Sequence, residues 1–301
     1  MHPTATAHIP AVPIKPDIYW VGGIDQDIRS FHGYETRDGS SYNAYFIKDE
    51  CPTLIDTVKP KFAGELLERV KSITPLEEVK YVVSNHAEFD HAGAMPIVMD
   101  NLPRDTKIVT TKKCADTLVR NYPELEKCDF KLVKSKGKMS IGKHELSFIT
   151  TPFVHWPESL MTYTDGVLFS MDAFGQHLAS DKRFDDEMGW EKVKEAAIEY
   201  YANIVALYRP QTARALKQAA TLGPIDTLCC SHGMIIRSHV SDMLALYTSI
   251  ADGSITKPKV TVVYDTFYHA TESMARAVEE GVRSVGCDVE RLNASVAGTT
   301  S

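Results

Sequence analysis

Four side chains of the kinds that bind metal ions lie within six consecutive residues, because positions 86–91 read His-Ala-Glu-Phe-Asp-His. The segment follows a strand-like apolar run, so we expect a loop at the end of a strand. Side chains in such a loop point in alternating directions, so His86 and Glu88 can serve one metal ion while Asp90 and His91 serve its neighbour. A polar turn that caps a helix is the alternative, but four ligand types at this density favour a metal site.

Three further residues of the same kinds each stand at the end of a β-type run, namely His155, Asp172 and His232. A single His or Asp is more often a hydrogen-bonded structural residue than a metal ligand. Together with the loop at 86–91, however, these three residues strengthen the hypothesis of a site for two metal ions.

Short β-type runs alternate with helical patterns in the first half of the chain, which is typical of layered α/β domains. Apolar residues spaced as on one face of a helix predict an amphipathic helix over Lys61 to Ile73. The predicted strands in this half are Tyr42 to Ile47, Thr53 to Val58, Val79 to Ser84 and Lys107 to Thr111.

From Lys138 to Asp172 the pattern becomes mainly β, and Asp165-Gly166 predicts a hairpin between Leu160 to Thr164 and Val167 to Ser170. Two helices follow within residues 189–220, with a break at Arg209-Pro210 because proline lacks the backbone donor. A short buried strand is predicted at Thr227 to Cys230.

A polar break at residues 251–258 precedes a second unit. This unit reads as a strand, Val260 to Tyr264, a helical pattern ending near Gly286, and a strand, Val289 to Leu292. Two strands cannot close a core by themselves. We therefore expect an incomplete second domain, and a natural protein that continues beyond Ser301.

Composition narrows the classes of protein. With 44% hydrophobic and 24% charged residues in 301, the chain can bury a sizeable core. A net charge of −7 with scattered basic residues argues against a nucleic-acid partner. Residues 1–17 contain no basic segment followed by an apolar run, so we expect no membrane anchor and a cytoplasmic location. The six cysteines lack a C-x-x-C pair and read as free thiols.

Beyond these residues, several stretches resemble the metallo-β-lactamase superfamily, and within it the flavodiiron proteins, also called A-type flavoproteins. They are residues 19–22, 31–34, 42–45, 155–159, 172–175 and 231–233. The resemblance implies a fold class of α/β, with a metallo-β-lactamase-like αββα sandwich followed by an incomplete flavodoxin-like doubly wound domain. The implied domains are a diiron domain at 1–250, a linker at 251–258, and the N-terminal part of an FMN-binding domain at 259–301.

Glu88 separates the branches of that superfamily. The hydrolases normally carry the loop H-x-H-x-D-H, which suits zinc, whereas Glu88 takes the place of the second histidine here. A carboxylate adds negative charge and hard oxygen character, which favours iron. The resemblance implies the following ligands: His86, Glu88 and His155 for one iron, Asp90, His91 and His232 for the other, and Asp172 as the bridge.

Four residues outside the implied ligand set also have expected roles. His32 and Tyr34 lie in a family-like segment, where they are expected either to line the substrate pocket as hydrogen-bond donors or to be structural. Tyr200 and Tyr201 are predicted to pack in the core.

The second unit also contains a loop that resembles the phosphate loop of flavodoxin, between an apolar strand and a helix. An ordinary Thr-capped helix is the alternative. The resemblance implies one FMN per full-length chain, and the loop residues are Thr266, Phe267, Tyr268, His269, Ala270 and Thr271.

The function implied by the resemblance is reduction of dioxygen to water, of nitric oxide to nitrous oxide, or of both, at a non-haem diiron centre. Electrons are expected to come through FMN from a rubredoxin-like donor, within a head-to-tail homodimer. The alternatives are a zinc-dependent hydrolase of the same fold and a non-catalytic module of an electron-transfer complex.

Overall fold

The computed structural model describes residues 10–255 and 257–296. The α-helices are α1 (Ala63–Lys71), α2 (Phe89–Ala92), α3 (Met95–Asp100), α4 (Lys112–Asn121), α5 (Asp185–Met188), α6 (Trp190–Tyr200), α7 (Arg209–Ala219), α8 (Val240–Asp252) and α9 (Ala270–Ser284). The strands are β1 (Val12–Lys15), β2 (Ile18–Trp20), β3 (Gly23–Asp25), β4 (Ser30–Phe31), β5 (Tyr34–Glu35), β6 (Ser40–Tyr42), β7 (Tyr45–Ile47), β8 (Thr53–Ile55), β9 (Tyr81–Val83), β10 (Lys107–Thr110), β11 (Asp129–Leu132), β12 (Lys138–Ser140), β13 (Glu145–Thr150), β14 (Leu160–Thr164), β15 (Val167–Met171), β16 (Thr227–Cys230), β17 (Lys259–Tyr264) and β18 (Asp288–Asn293).

Two main sheets form the centre of the fold. The first has the order β1-β2-β7-β8-β9-β10-β11, and the second has the order β12-β13-β14-β15-β16. Strands β8 to β11 are parallel, whereas the second sheet is antiparallel except for the pair β15 and β16. The carboxyl ends of β8, β9 and β10 therefore meet at one edge of the first sheet.

Successive strand residues pack on opposite faces, which creates the layers. In β9, Val82 packs against α1, α3 and α4 on the outer face, while Val83 packs between the two sheets. Phe148 in β13 likewise lies between the sheets, and its neighbour Ile149 faces α6, α7 and α8. The order of layers is helices, sheet, sheet, helices, so the predicted αββα sandwich is confirmed.

Most predicted elements are confirmed, including the hairpin of β14 and β15. Its turn residues Asp165 and Gly166 both have positive φ, 45° and 84°, which suits a tight hairpin turn. The helical break near Arg209 is also confirmed, because the segment Tyr201–Val205 is a π turn and α7 starts again at Arg209 with Pro210 in its first turn.

The predicted strand Tyr42 to Ile47 is wrong, because the chain changes sheets within it. Strand β6 ends at Tyr42 and pairs with β3, whereas β7 begins at Tyr45 and pairs with β2 and β8. Between them, the Asn43 backbone N–H donates to Ser231 O at 2.7 Å, and its side-chain amide donates to two other carbonyls of the same loop. Hydrogen bonds to residues distant in sequence therefore divide this β-type run into two strands.

The second unit has the predicted order of strand, helix and strand. Strands β17 and β18 are parallel, and α9 connects them. The apolar side chains Val263, Met274 and Val278 are exposed on this unit.

Two expectations from composition concern the whole chain. All six cysteines are free thiols, and Cys114, Cys229 and Cys230 are buried. Within residues 10–255 and 257–296, no helix has both the length and the apolar character needed to cross a membrane.

Asp49 connects the two sheets through a buried carboxylate. It lies between β7 and β8, and it accepts hydrogen bonds from the backbone of Lys143 and His144 and from the His144 ring, at 3.0, 2.8 and 2.7 Å. Burial acts to raise the pKa of Asp49, but these donors outweigh it and lower that pKa from 3.8 to about 2. The ionised carboxylate therefore stabilises the junction of the sheets.

We expect Asp49→Asn to lower the free energy of unfolding by about 1–3 kcal/mol at pH 7, because charge-assisted hydrogen bonds are lost. The difference from wild type is fully present above about pH 4 and shrinks as pH falls toward the folded pKa near 2. Denaturant titrations between pH 7 and pH 3 measure it. Asp116→Asn, at an exposed pair with Lys112, is the control and should change little. A constant difference across this range would contradict the assignment.

Candidate metal centre

Loops from both sheets bring the predicted ligands together. His86 and Glu88 lie on the loop between β9 and α2, and Asp90 and His91 lie in α2 itself. The remaining three lie on separate loops of the second sheet, with His155 after β13, Asp172 after β15 and His232 after β16.

Buried polar contacts fix the loop after β9. The backbone and side-chain amides of Asn85 donate to the two oxygens of Asp56 at 2.7 and 2.8 Å. The Thr162 hydroxyl, from the second sheet, donates to Asn85 Oδ1 at 2.7 Å. Because Asp56 ends β8 and Thr162 lies in β14, Asn85 holds the start of the loop against both sheets.

One group of ligand atoms surrounds Asp172 Oδ2. His86 Nε2 lies 3.3 Å from that oxygen and 3.2 Å from Glu88 Oε2. His155 Nε2 lies 3.2 Å from the same Asp172 oxygen and 3.0 Å from Glu88 Oε2. Two ligands about 2.1 Å from one metal ion, at right angles or somewhat wider, lie about 3.0–3.4 Å apart. The spacing fits one shared ion.

A second group surrounds the other oxygen of the same carboxylate. His91 Nε2 and His232 Nε2 lie 3.1 and 3.2 Å from Asp172 Oδ1. The same two nitrogens lie 3.4 and 3.2 Å from Asp90 Oδ2. Asp172 therefore presents one oxygen to each group, as a bridging carboxylate does. This division matches the one that the resemblance implies.

A looser criterion gives other groupings. Ligand atoms of His86, Glu88, His91 and Asp172 all lie within 4.8 Å of one another, and so do ligand atoms of His32, Asp90 and His232. The shorter contacts support the division into two sets of three around Asp172, and they place His32 at the border, 3.7 Å from Asp90 Oδ2.

The electrostatics of the cluster favour cations at its centre. Burial opposes a charge on His232, but Asp172 and Asp90 outweigh it and raise the pKa of His232 to about 10. In the same way, Asp172 and Glu88 raise the pKa of His155 to about 9 against the effect of burial. The two buried carboxylates of Asp90 and Asp172, with the partly buried Glu88, therefore create a strong preference for positive charge.

Unpartnered polar atoms give an independent test of fit. Buried groups are normally hydrogen-bonded, because burial without a partner is costly. Among the described residues, four ligand atoms are buried without any hydrogen bond, namely Asp90 Oδ2, His91 Nε2, Asp172 Oδ2 and His232 Nε2. All four point into the cluster, so the residues present fit a pair of metal ions.

The outer nitrogens of two histidines are held by acceptors. His86 Nδ1 lies 2.9 Å from Glu158 Oε1, and His232 Nδ1 lies 2.7 Å from Ser41 O. Donation from Nδ1–H to these acceptors leaves the Nε2 lone pair directed inward, which is the form that binds a metal. Glu158 was part of a family-like stretch, but its partner across the fold was invisible in the sequence.

Tyr200 has a contact that the prediction of core packing omitted. Its ring is fully buried, as expected, but its hydroxyl donates to Asp172 Oδ1 at 3.0 Å. Burial, together with the nearby Asp172, raises the pKa of Tyr200 well above its usual value. The phenol therefore stays protonated and orients the bridging carboxylate. Tyr201 is buried, as predicted.

His32 and Tyr34 differ in their distance from the centre. His32 Nε2 lies 3.9 Å from Glu88 Oε1, and burial lowers the pKa of His32 to about 4. The ring of Tyr34 packs 5.4 Å from the ring of His177. Sequence reasoning missed His177, whose only signal was its place five residues after Asp172.

Residues 266–269 lie in the loop between β17 and α9, and Ala270 and Thr271 are the first two residues of α9. The backbone of this loop leads into the N-terminus of α9, with His269 at φ 65°. The rings of Phe267 and Tyr268 are almost fully exposed, at 94% and 93%.

The fold and the cluster together define a metallo-β-lactamase-like domain with a group of histidines and carboxylates whose spacing fits two metal ions. The family model described as "ODP family beta lactamase" matches residues 41–233. Among curated proteins, the "Nitric oxide reductase" of Moorella thermoacetica is 37% identical over 290 residues, which is 95% of this chain and 72% of the relative. The "Anaerobic nitric oxide reductase flavorubredoxin" of Salmonella paratyphi B is 38% identical, and the match covers 93% of this chain and 59% of that one.

Solved structures give the same result. The flavodiiron protein of Giardia intestinalis is 40% identical with a TM-score of 0.86, over 99% of this chain and 72% of that one. The rubredoxin oxygen:oxidoreductase of Desulfovibrio gigas is 34% identical with a TM-score of 0.86, over 95% of this chain and 72% of that one. The chain belongs to the flavodiiron protein family, and it is an oxidoreductase.

We expect Glu158→Gln to weaken metal binding about 10- to 100-fold, because an uncharged acceptor on His86 Nδ1 makes that imidazole a poorer ligand. Competition with a chelator, followed by metal analysis, measures the affinity. Glu145→Gln, at an exposed pair with Lys138, is the matched control. Equal affinities of the Glu158 variant and wild type would show that this contact does not tune the site.

Proposed function

We propose that this chain reduces dioxygen to water, nitric oxide to nitrous oxide, or both, at a non-haem diiron centre. The observation that carries the proposal is the position of Glu88, whose Oε2 lies between His86 Nε2 and His155 Nε2 at 3.2 and 3.0 Å. A hard, anionic oxygen takes the place that an imidazole has in zinc hydrolases of this fold. Relatives named as nitric oxide reductase and as an oxygen oxidoreductase support the reaction type.

The proposed ligands form two sets around Asp172. His86, Glu88 and His155 would hold one iron, and Asp90, His91 and His232 the other. When bound, a pair of irons would supply electrons to a small-molecule substrate. Each set contains one carboxylate besides Asp172, so the charge of the ligands is balanced between the two positions.

The neighbouring side chains orient the reactants and carry protons. Tyr200 holds Asp172 Oδ1 through its hydroxyl, which fixes the shared carboxylate between the two sets. His32 Nε2 borders the carboxylates of both sets without any hydrogen-bond partner. Both reductions consume protons as well as electrons, so a neutral imidazole at this border can donate to an oxygen atom of the substrate.

FMN and the partners belong to the same proposal. Residues 266–271 fit the phosphate end of FMN, because they run from the carboxyl end of a strand into the first two residues of the fifteen-residue helix α9. We propose that this loop binds FMN, that a rubredoxin-like protein donates the electrons, and that the protein is a head-to-tail homodimer with a cytoplasmic location. The domain limits 1–250, 251–258 and 259–301 are part of the proposal; α8 extends to Asp252.

Metal analysis of anaerobically purified protein tests the choice of metal. We expect two irons per chain in the wild type and a shift toward zinc in Glu88→His, because imidazole replaces the hard carboxylate. Glu77→His, on an exposed short helix, is the control and should keep the iron. Zinc in the wild type, with esterase activity, would overturn the proposal in favour of a hydrolase.

Gas consumption by the chemically reduced protein tests the reaction. We expect uptake of nitric oxide, dioxygen or both in proportion to bound iron, and loss of that uptake in Glu88→His. Electrodes for the two gases, with a reductant that bypasses the flavin, measure the rates separately. An iron-loaded protein that consumes neither gas would support a non-catalytic role.

A further inference from the structure

A chain of buried hydrogen-bonding groups connects Ser40 with the edge of the metal centre. Ser40 Oγ lies 2.8 Å from His177 Nδ1, and His177 Nε2 lies 3.2 Å from His32 Nδ1. Ser40 and His177 are buried at 0% and 7% exposure. The last atom of the chain is His32 Nε2, which faces Asp90 Oδ2 and Glu88 Oε1.

The direction of donation along these hydrogen bonds decides whether His32 Nε2 presents an N–H or a lone pair to the metal centre. A neutral imidazole has one N–H donor and one acceptor nitrogen, so the whole chain has one of two directions. If Ser40 donates to His177, then His177 Nε2–H donates to His32 Nδ1, and His32 Nε2 carries a proton. If the direction is reversed, His32 Nε2 is a lone pair.

Two observations favour donation from Ser40. Within the described residues, the other acceptor of the Ser40 hydroxyl is the carbonyl of Ser41 at 3.3 Å, whereas His177 Nδ1 is 2.8 Å away. At the other end, His32 Nε2 lies 3.7 Å from Asp90 Oδ2 and 3.9 Å from Glu88 Oε1, and a carboxylate oxygen attracts an N–H and repels a lone pair. Both ends of the chain therefore select the same direction.

We propose that Ser40 and His177 are positioning residues that fix the tautomer of His32, so that its Nε2–H points toward the space between Glu88 and Asp90. There the N–H is a preformed donor to a diatomic substrate as negative charge develops on it. The tautomer of His32 is set by residues of the protein itself. The role toward a substrate rests on the proposed function.

Nuclear magnetic resonance of the histidine rings tests the tautomer without turnover. In zinc-loaded protein, which is diamagnetic, long-range ¹H–¹⁵N correlations distinguish a protonated nitrogen from an unprotonated one. We expect a protonated Nε2 on both His32 and His177 in the wild type. A protonated Nδ1 on His32 would overturn the proposal.

Substitutions of Ser40 and His177 test the direction of hydrogen-bond donation toward His32. Ser40→Ala removes the terminal donor, and His177→Phe removes both ring nitrogens while keeping the ring, so each should mix the two tautomers of His32. Ser40→Thr keeps a hydroxyl and should restore the wild-type spectrum. Thr106→Val, which removes a buried hydroxyl bonded to Val79 O before β10, is the control and should leave His32 unchanged. An unchanged His32 in both disruptive variants would contradict a positioning role.

Kinetics of the iron-loaded protein then test the donor role. We expect Ser40→Ala to lower kcat for gas reduction about tenfold at equal iron content, with recovery in Ser40→Thr. A changed tautomer with unchanged kcat would overturn the donor role alone. Failure of the proposed function itself would be distinct, because it leaves every variant and the wild type without gas uptake while the spectra still report the tautomer.

Discussion

The structure depends on two buried carboxylates, Asp90 and Asp172, and a partly buried one, Glu88, with Asp172 shared between two sets of imidazoles. Such a cluster of negative charge is unfavourable in a protein interior unless positive charge compensates it. The same carboxylates raise the pKa values of His155 and His232, because a protonated imidazole supplies compensating positive charge. The two sheets and their loops therefore converge on a place where cations are needed.

Polar residues outside the cluster hold that arrangement. Asn85 links the loop after β9 to Asp56 and Thr162, and Asn43 links the junction of β6 and β7 to the loop that carries His232. Both asparagines are buried and use their amides as cross-links between segments far apart in sequence. The positions of the ligands thus follow from contacts between the sheets more than from the local conformation of each loop.

The sequence revealed those ligand residues that are close together along the chain or that follow the end of a strand. The loop at 86–91 was recognisable because four ligand types are adjacent, and Asp172 and His232 because each follows a clear apolar strand. His177 gave no such signal, since a single histidine in a loop is usually structural. The contact of Tyr200 with Asp172 and the change of sheet at Asn43 depend on partners far away in the chain. Local patterns cannot express such long-range pairings.

The ligands come from both sheets, and this has a consequence for chain topology. His86 and His232 are separated by most of the αββα sandwich in sequence, yet they lie against the same carboxylate, Asp172. Ions bound there would act as reversible cross-links that close long loops and restrict the unfolded chain. Metal binding and the joint folding of the two sheets would then be thermodynamically coupled. A chelator would act on the architecture of this protein as much as on its chemistry.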